Sequence, residues 1–348
     1  MKIVKYGVIG SGSISQNRHL PEAHANPNST VAALTDVVKD RVREVAQRYD
    51  AQPYTDYRTM LAEADIDAVV VAGPNKFHAP MAIDAFKAGK HVLCEKPMAT
   101  TRAEARSMIA AAKKARKFLM IGMNQRLMPP HVKARQLLDE GKLGKILTFE
   151  TSFKHPGPDG WSIDGANSWF LKKTPAVMGV TGDLGIHKAD LMRYLLGEEI
   201  THVGGFIVTR DKKLPNGKPI AIDDNAFLTL KSASGVVGTM NISWTHYGRF
   251  EDNGTTLYGE HGVMRIGADP TFGVIVNYRN GQEERHKVGQ VATNEKQIAS
   301  GIIDSFTDCI LSRRKPEIDG LEGYRALNVI LTAMEAAKEG RTKKVSLV

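Results

Sequence analysis

The stretch KYGVIGSGSISQNRHLPEAHANPNSTVAALTD, Lys5 to Asp36, decides the fold. Tyr6 to Ile9 is a short apolar run of the kind that forms a buried strand. Gly10-Ser11-Gly12-Ser13-Ile14-Ser15 follows at once, then a mostly polar helical stretch, then a second apolar run, Thr30 to Leu34, that ends at Asp36. Strand, glycine turn, helix, strand and acid in this order form a dinucleotide-binding fingerprint. Gly10 permits a tight turn that a side chain would block, and Gly12 lets backbone N–H groups approach a pyrophosphate. A helix beginning near Ser13 turns its unpaired N–H groups and the positive end of its dipole toward that anion. Asp36 can accept hydrogen bonds from an adenosine ribose and would repel a 2′-phosphate, so the expected cofactor is NAD rather than NADP. Ser15 stands where the fingerprint has Gly or Ala; serine is only slightly larger, so helix–strand packing is expected to survive.

The β–α alternation continues outward from this unit. Helical patterns at Asp40–Tyr49 and Tyr57–Ala64 lead to Asp67–Ala72, a continuous β-branched run expected as a central strand buried on both faces. Gly73-Pro74-Asn75 breaks it. A helix over Ala79–Ala88 ends at Gly89, Lys90–Cys94 is the next strand, and an Ala-rich helix over Thr101–Arg116 is capped by Thr100 or Thr101. Phe118–Gly122 closes a doubly wound parallel sheet with right-handed crossovers. After Asn124 the rhythm changes. Helices at Pro129–Glu140 and Asp183–Leu196 flank an irregular aromatic stretch, Trp161–Val180. Alternating segments then follow: Lys145–Phe153, His202–Thr209, Ala226–Lys231, Gly238–Trp244, Gly254–Tyr258, Gly262–Ile266 and Phe272–Tyr278. Turn signals such as Asn216-Gly217 and Asn280-Gly281 separate the later ones, so an open, mostly antiparallel sheet is expected. Helices over Gln297–Ser312 and Gly320–Gly340 close the chain. The fold class is therefore α/β, a Rossmann domain over residues 1–124, followed by an α+β domain over 125–348.

Bulk properties narrow the classes further. A chain of 348 residues favours two domains, and 42% hydrophobic with 24% charged residues is ordinary for a soluble globular protein. No apolar run reaches the ~18 residues of a membrane span, and Met1 leads straight into the first strand, so no signal peptide is expected. Cys94 and Cys309 are the only cysteines, too few for a disulfide framework or a thiolate metal site, which fits a reducing cytoplasm. The net charge of +9 is dispersed, with small clusters at Lys113–Lys117, Arg313–Lys315 and Arg341–Lys344. No aromatics interleave with them, so attraction of anionic cofactors is expected rather than nucleic-acid binding. His24, His91, His131, His202, His261 and His286 show no ligand-like spacing, and no metal site is expected.

Ligands in such sheets bind outside the carboxyl ends of the strands, where Ser11–Ile14, Gly73–His78, Glu95–Pro97 and the Asn124 region converge. Lys96, in Glu95-Lys96-Pro97, can steady developing negative charge on a substrate oxygen. On an α-helix Asp183, His187 and Asp190 share one face, and a histidine with a carboxylate beside it is a natural proton acceptor at neutral pH. His155, Trp161, Trp169, Phe170, Lys172, Lys173, His246, Tyr247 and Arg249 lie in segments that could rim the pocket. Trp169 and Tyr247 are the expected stacking partners of a sugar.

These residues carry a resemblance. The chain resembles the glucose–fructose oxidoreductase/inositol dehydrogenase/rhizopine-catabolism (Gfo/Idh/MocA) family of NAD(P)-dependent oxidoreductases through Gly10–Ser15, Asp36, P-N-K-F-H-A at Pro74–Ala79, E-K-P at Glu95–Pro97 and D-L-G-I-H at Asp183–His187. Where that family often has a glycine run before the Asp, this chain has Met178-Gly179-Val180-Thr181. The resemblance implies catalytic positions at Lys96, Asp183 and His187, and nicotinamide contacts near Asn75, His78, Glu95 and Asn124. It also implies an open sheet that forms dimer and tetramer interfaces. The expected reaction is hydride transfer between a secondary hydroxyl of a sugar, inositol or related polyol and nicotinamide C4. Two alternatives stay open: an NAD-dependent glycoside hydrolase, which the same family includes, and a cofactor-binding regulator without turnover.

Overall fold

The computed structural model describes residues 3–291 and 299–346. Six strands form the first sheet: β1 (Val4–Ile9), β2 (Ser29–Thr35), β3 (Gln52–Tyr54), β4 (Ala68–Val71), β5 (His91–Cys94) and β6 (Leu119–Ile121). Their order is β3-β2-β1-β4-β5-β6 and every pairing is parallel. The strands are apolar because helices cover both faces; all four residues of β4 are buried. Ile9 pairs with Thr35 on one side and with Val71 on the other. The carboxyl ends of β1, β2 and β4 are therefore level, and the glycine turn, Asp36 and Gly73 share one rim. The strand order reverses between β2-β1 and β4, and a crevice opens at that switch point.

Local signals place the helices. Asp56 accepts the N–H groups of Arg58 and Thr59 and starts helix Tyr57–Glu63. Thr101, the second of the two expected caps, accepts the Glu104 N–H at the start of Arg102–Ala115. Gly89 follows helix His78–Lys87 at φ +73°.

The second sheet has nine strands: β7 (Ile146–Lys154), β8 (Ile200–Val208), β9 (Asn225–Ser232), β10 (Val237–Ser243), β11 (Thr255–Gly259), β12 (Gly262–Ile266), β13 (Val274–Tyr278), β14 (Glu283–His286) and β15 (Lys343–Lys344). The order is β14-β13-β12-β11-β7-β10-β9-β8-β15. All neighbours are antiparallel except the central β7–β10 pair. The two edge strands are short and charged, which blunts edge-to-edge pairing and also hid them from a reading of hydrophobic alternation. Helix Ile186–Leu196 packs on one face of this sheet.

The C-terminal helices, Ile302–Ser312 and Gly320–Glu339, return to the first layer. Tyr6 Oη lies 2.9 Å from Thr307 Oγ1, and a Cβ on Gly323 would sit 2.6 Å from Ile121. The expected start of the first of these helices, Gln297, lies outside the described residues.

Candidate active site

A cleft of about 1050 Å³ runs from the rim of the first sheet toward the second domain. Its deep end is built by one buried contact across the two domains. Lys96 Nζ donates to Asp183 Oδ1 at 2.7 Å and to the Asp183 carbonyl at 3.0 Å. The two side chains are 7% and 3% exposed. Lys96 sits just past β5, where a cis Lys96–Pro97 bond turns the chain. Asp183 lies in a wide i→i+5 turn, Thr181–Gly185, that opens helix Ile186–Leu196. Its second oxygen accepts the Trp244 indole N–H at 3.0 Å, with His155 Nε2 at 3.8 Å. Burial would push the Asp183 carboxyl up, but the Lys96 charge, His155 and these hydrogen bonds outweigh it and hold it below its ordinary value.

His187 is buried within electrostatic reach of both Lys96 and Asp183. Burial first, then the Lys96 charge, lowers its pKa well below 6.5 against the opposing pull of Asp183 and Glu95, so the ring is neutral at neutral pH. Its Nδ1 has no hydrogen-bond partner among the described residues. Asp190, expected on the same helical face as Asp183 and His187, is engaged elsewhere. The wide turn at 181–185 alters the spacing, and Asp190 gives both oxygens to Arg126, at 2.7 and 2.6 Å.

The Met178–Thr181 segment has a local reason. Asp223 accepts the N–H groups of Gly179 and Thr181, and a Cβ on Gly179 would stand 1.8 Å from the Asp223 carbonyl oxygen. Glycine is required at 179, while its neighbours Met178 and Val180 are buried in the core.

The opposite end of the cleft fits a dinucleotide. Gly10 has φ +97°, and a Cβ there would sit 2.6 Å from the Ala72 carbonyl oxygen. Around the Gly12 Cβ position nothing lies within 4 Å, so the cleft reaches the backbone. Ser15, the departure from the fingerprint, donates its hydroxyl to the Gly10 carbonyl at 2.5 Å and so secures the turn. Asp36 lines the cleft while Ser11 donates its N–H and its hydroxyl to Oδ2, both at 2.9 Å, and Val38 N–H reaches Oδ1 at 2.9 Å. A carboxylate has lone pairs left for ribose hydroxyls. These residues would hold NAD: the turn its pyrophosphate and Asp36 its adenosine ribose.

Of the expected contacts, Gly10, Gly12, Ser13, Ile14, Asp36, Gly73, Pro74, Asn75, His78, Glu95, Lys96, Trp169 and Asp183 line this one cleft. Ser11, Asn124, His187 and Tyr247 are not part of its wall. Ser11 supports Asp36 from behind, and Tyr247 is exposed and donates to Asp211 at 2.5 Å. Both His78 ring nitrogens lie 2.7 Å from carbonyl oxygens, of Pro97 and Gly73, so the ring ties two strand-end loops together. Trp161, Phe170 and Lys172 join Trp169 in the wall; Trp169 stacks on Phe170 at 3.8 Å between centroids. This aromatic segment straps across the cleft. Ile163 N–H donates to Ser13 Oγ at 2.8 Å and Arg41 pairs with Asp164 at 2.5 Å. Trp244, Arg41 and Asp164 were not singled out from the sequence, because nothing in their local patterns marks a residue whose partner lies 61 or more positions away along the chain.

The geometry defines a Rossmann-type dinucleotide-binding fold whose cleft is lined jointly by the first sheet's strand-end loops and by residues of the second domain. Residues 4–123 match the family described as "Oxidoreductase family, NAD-binding Rossmann fold", and residues 131–265 match the Gfo/Idh/MocA C-terminal domain. The chain is 30% identical to levoglucosan dehydrogenase of Pseudarthrobacter phenanthrenivorans over 84% of its length and 81% of that protein. It is 27% identical to myo-inositol 2-dehydrogenase of Thermotoga maritima, with 99% of each chain covered. An aldose-aldose oxidoreductase from Caulobacter crescentus, solved with glycerol, superposes with a TM-score of 0.83 at 28% identity over 99% of this chain and 100% of that one. The chain belongs to the Gfo/Idh/MocA family of NAD-dependent oxidoreductases.

Proposed function

We propose that the protein oxidises a secondary hydroxyl of a sugar, inositol or related polyol, or reduces the matching ketone, with the catalytic work done by Lys96, Asp183 and His187. The observation that carries this reading is the 2.7 Å Lys96–Asp183 contact in the wall of the same cleft that the glycine turn lines. Bound NAD supplies the hydride acceptor. Lys96 donates to the substrate oxygen and steadies its negative charge. His187, neutral and with Nδ1 unpartnered, takes the hydroxyl proton; Asp183 keeps the Lys96 ammonium aimed and supports the imidazolium that forms. Trp169 and Trp161 offer aromatic faces to the hydrophobic side of a pyranose or cyclitol ring. The levoglucosan and inositol dehydrogenases among the relatives support this substrate class.

The test is NADH absorbance with a panel of sugars, anhydrosugars and inositols. The reading expects NADH to accumulate with at least one free polyol. Release of an aglycone from glycosides without net NADH would favour the hydrolase chemistry, and NAD binding without turnover on any member would sink the enzyme reading. The outer face of the second sheet supports self-association: Phe206 pairs directly with Phe227, and the two are 75% and 51% exposed. We infer a homodimer or homotetramer through this face, which a monomeric mass by light scattering would refute. No helix of the described residues is long and apolar enough to cross a membrane.

A further inference from the structure

A second buried polar chain reaches Lys96 from the side of the glycine turn. The helix that follows this turn contains a wide i→i+5 segment, Ser15–His19, closed by the Leu20 N–H on the Ser15 carbonyl. It ends with two buried basic residues, Arg18 and His19. His19 Nε2 lies 2.9 Å from Glu95 Oε1, with side-chain exposures of 0% and 8%. The other carboxylate oxygen, Oε2, accepts the backbone N–H of Lys96 at 3.2 Å. His19 Nδ1 is buried and meets no partner among the described residues, so the only hydrogen bond seen for this ring is the one to Glu95. Gly122 leaves room for the carboxylate: a Cβ there would stand 3.0 Å from Oε1. The link therefore runs from the cofactor-side helix through Glu95 and Lys96 to Asp183 and Trp244 in the second domain.

We propose that His19 is a positioning residue for hydride transfer: by gripping Glu95 it fixes the backbone at Lys96 and couples the dinucleotide-binding helix to the reacting end of the cleft. This rests on the dehydrogenase reading above. A carboxylate buried this deeply survives only with partners. Burial pushes Glu95 up; the His19 hydrogen bond and charge, followed by Lys96 and Arg18, overcome it and bring the carboxyl down to about 2. The other titratable groups that feel Glu95 are His78, His187 and Cys94, each itself strongly influenced by burial. His19 is thus the principal group that keeps Glu95 an anionic acceptor for the Lys96 N–H.

The test compares His19→Gln, whose amide reaches as far as Nε2, with His19→Asn, whose amide stops short of Glu95. Three quantities are read: kcat against pH, the NADH dissociation constant from tryptophan fluorescence, and Tm against pH. His19→Asn is expected to lower kcat ~10-fold or more and to move the acid limb of the kcat profile up by about one pH unit or more, while NADH affinity changes less than about threefold. His19→Gln should restore kcat and the limb. Adding Glu95→Gln to His19→Asn should remove the displaced limb. If His19→Asn does not fold, Glu95→Gln reads the same link from its other end: it lowers kcat ~10-fold, and adding His19→Gln costs no more. Additive losses, or a His19→Asn profile that falls equally at every pH and is not rescued by Gln, would overturn the proposal. The Tm arm needs no turnover. Glu95 is depressed in the fold, so its contribution is full above its ordinary range and fades as pH falls. The wild-type-to-His19→Asn gap in Tm should accordingly narrow below about pH 4.5. A closing gap in a protein inactive on every polyol would overturn the dehydrogenase reading and keep the link; a constant gap would overturn the link.

Discussion

Replacing Lys96 with methionine is the sharpest test of the inter-domain contact. Methionine matches the length of the lysine stem but leaves Asp183 without the ammonium 2.7 Å from Oδ1. The stranded carboxylate is 3% exposed and keeps the Trp244 N–H at 3.0 Å. Removing one member of a buried pair typically costs about 3–5 kcal/mol, and the surviving indole bond argues for the lower part of that range, ~3 kcal/mol at neutral pH. The pH dependence has a definite sign. In the native protein Asp183 is depressed, so its contribution is complete above the unfolded value and is lost as pH falls through the folded one. Without Lys96, burial dominates and the carboxyl rises above its unfolded value. The folded variant then holds a proton that the unfolded chain has released. Stability of Lys96→Met should fall by about 1.4 kcal/mol per pH unit as pH rises from the unfolded toward the raised folded pKa, then level off. Adding Asp183→Asn removes the uncompensated charge and should recover most of the stability but none of the turnover. The assays are urea unfolding followed by tryptophan fluorescence, to which buried Trp244 contributes, and NADH absorbance for kcat, expected to drop at least ~100-fold. A Lys96→Met protein within ~0.5 kcal/mol of wild type that keeps kcat within about threefold would refute the reasoning.

Two further outcomes follow from the same site. Asp36→Ser should raise the KM for NAD about 10–100-fold, through loss of charge-assisted bonds to the ribose, and should improve use of NADP; an unchanged ratio of the two cofactors' kcat/KM would refute Asp36 as the discriminator. Burial holds the His187 pKa well below the ordinary histidine value, so kcat/KM for oxidation should stay flat across neutral pH, with its acid limb below that value. In Lys96→Met the limb should move up, since a positive charge that disfavours the imidazolium is gone. Stability has the matching sign: the unfolded chain takes up the proton first, so the His187 contribution is lost as pH falls below about 6.5. A wild-type limb at or above the ordinary histidine value would contradict the burial of His187.

Much of the scaffold was legible because its signals are local. The β-branched run Asp67–Ala72, the glycine after helix His78–Lys87 and the Thr101 cap each act within a few residues, and each appears where the pattern places it. The edge strands Gln52–Tyr54, Glu283–His286 and Lys343–Lys344 were illegible for the opposite reason. Edge positions select proline and charge, which read as loop. The parallel β7–β10 pair was hidden too, since local alternation shows that a strand exists and not which neighbour it meets.

The candidate site divides along the same line, and the two wide turns show why. Lys96 and the glycine turn could be placed from sequence because a strand end fixes them. Asp183 and His187 were related by a periodicity of 3.6, which assumes an unbroken α-helix, whereas Asp183 lies in a wide turn. The i→i+5 turn at Thr181–Gly185 carries Asp183, which meets Lys96 and Trp244, while Asp190 in the helix that follows meets Arg126. The matching turn at Ser15–His19 ends on His19, which looks like one more polar helix residue until its contact with Glu95 is seen. Wide turns of this kind cost regular hydrogen bonding and recur at functional sites. Here one turn carries Asp183, which holds the Lys96 ammonium, and the other ends on His19, whose partner Glu95 holds the Lys96 backbone. The position of that lysine is therefore set by two helix irregularities in separate domains, neither of which leaves a trace in hydrophobic periodicity.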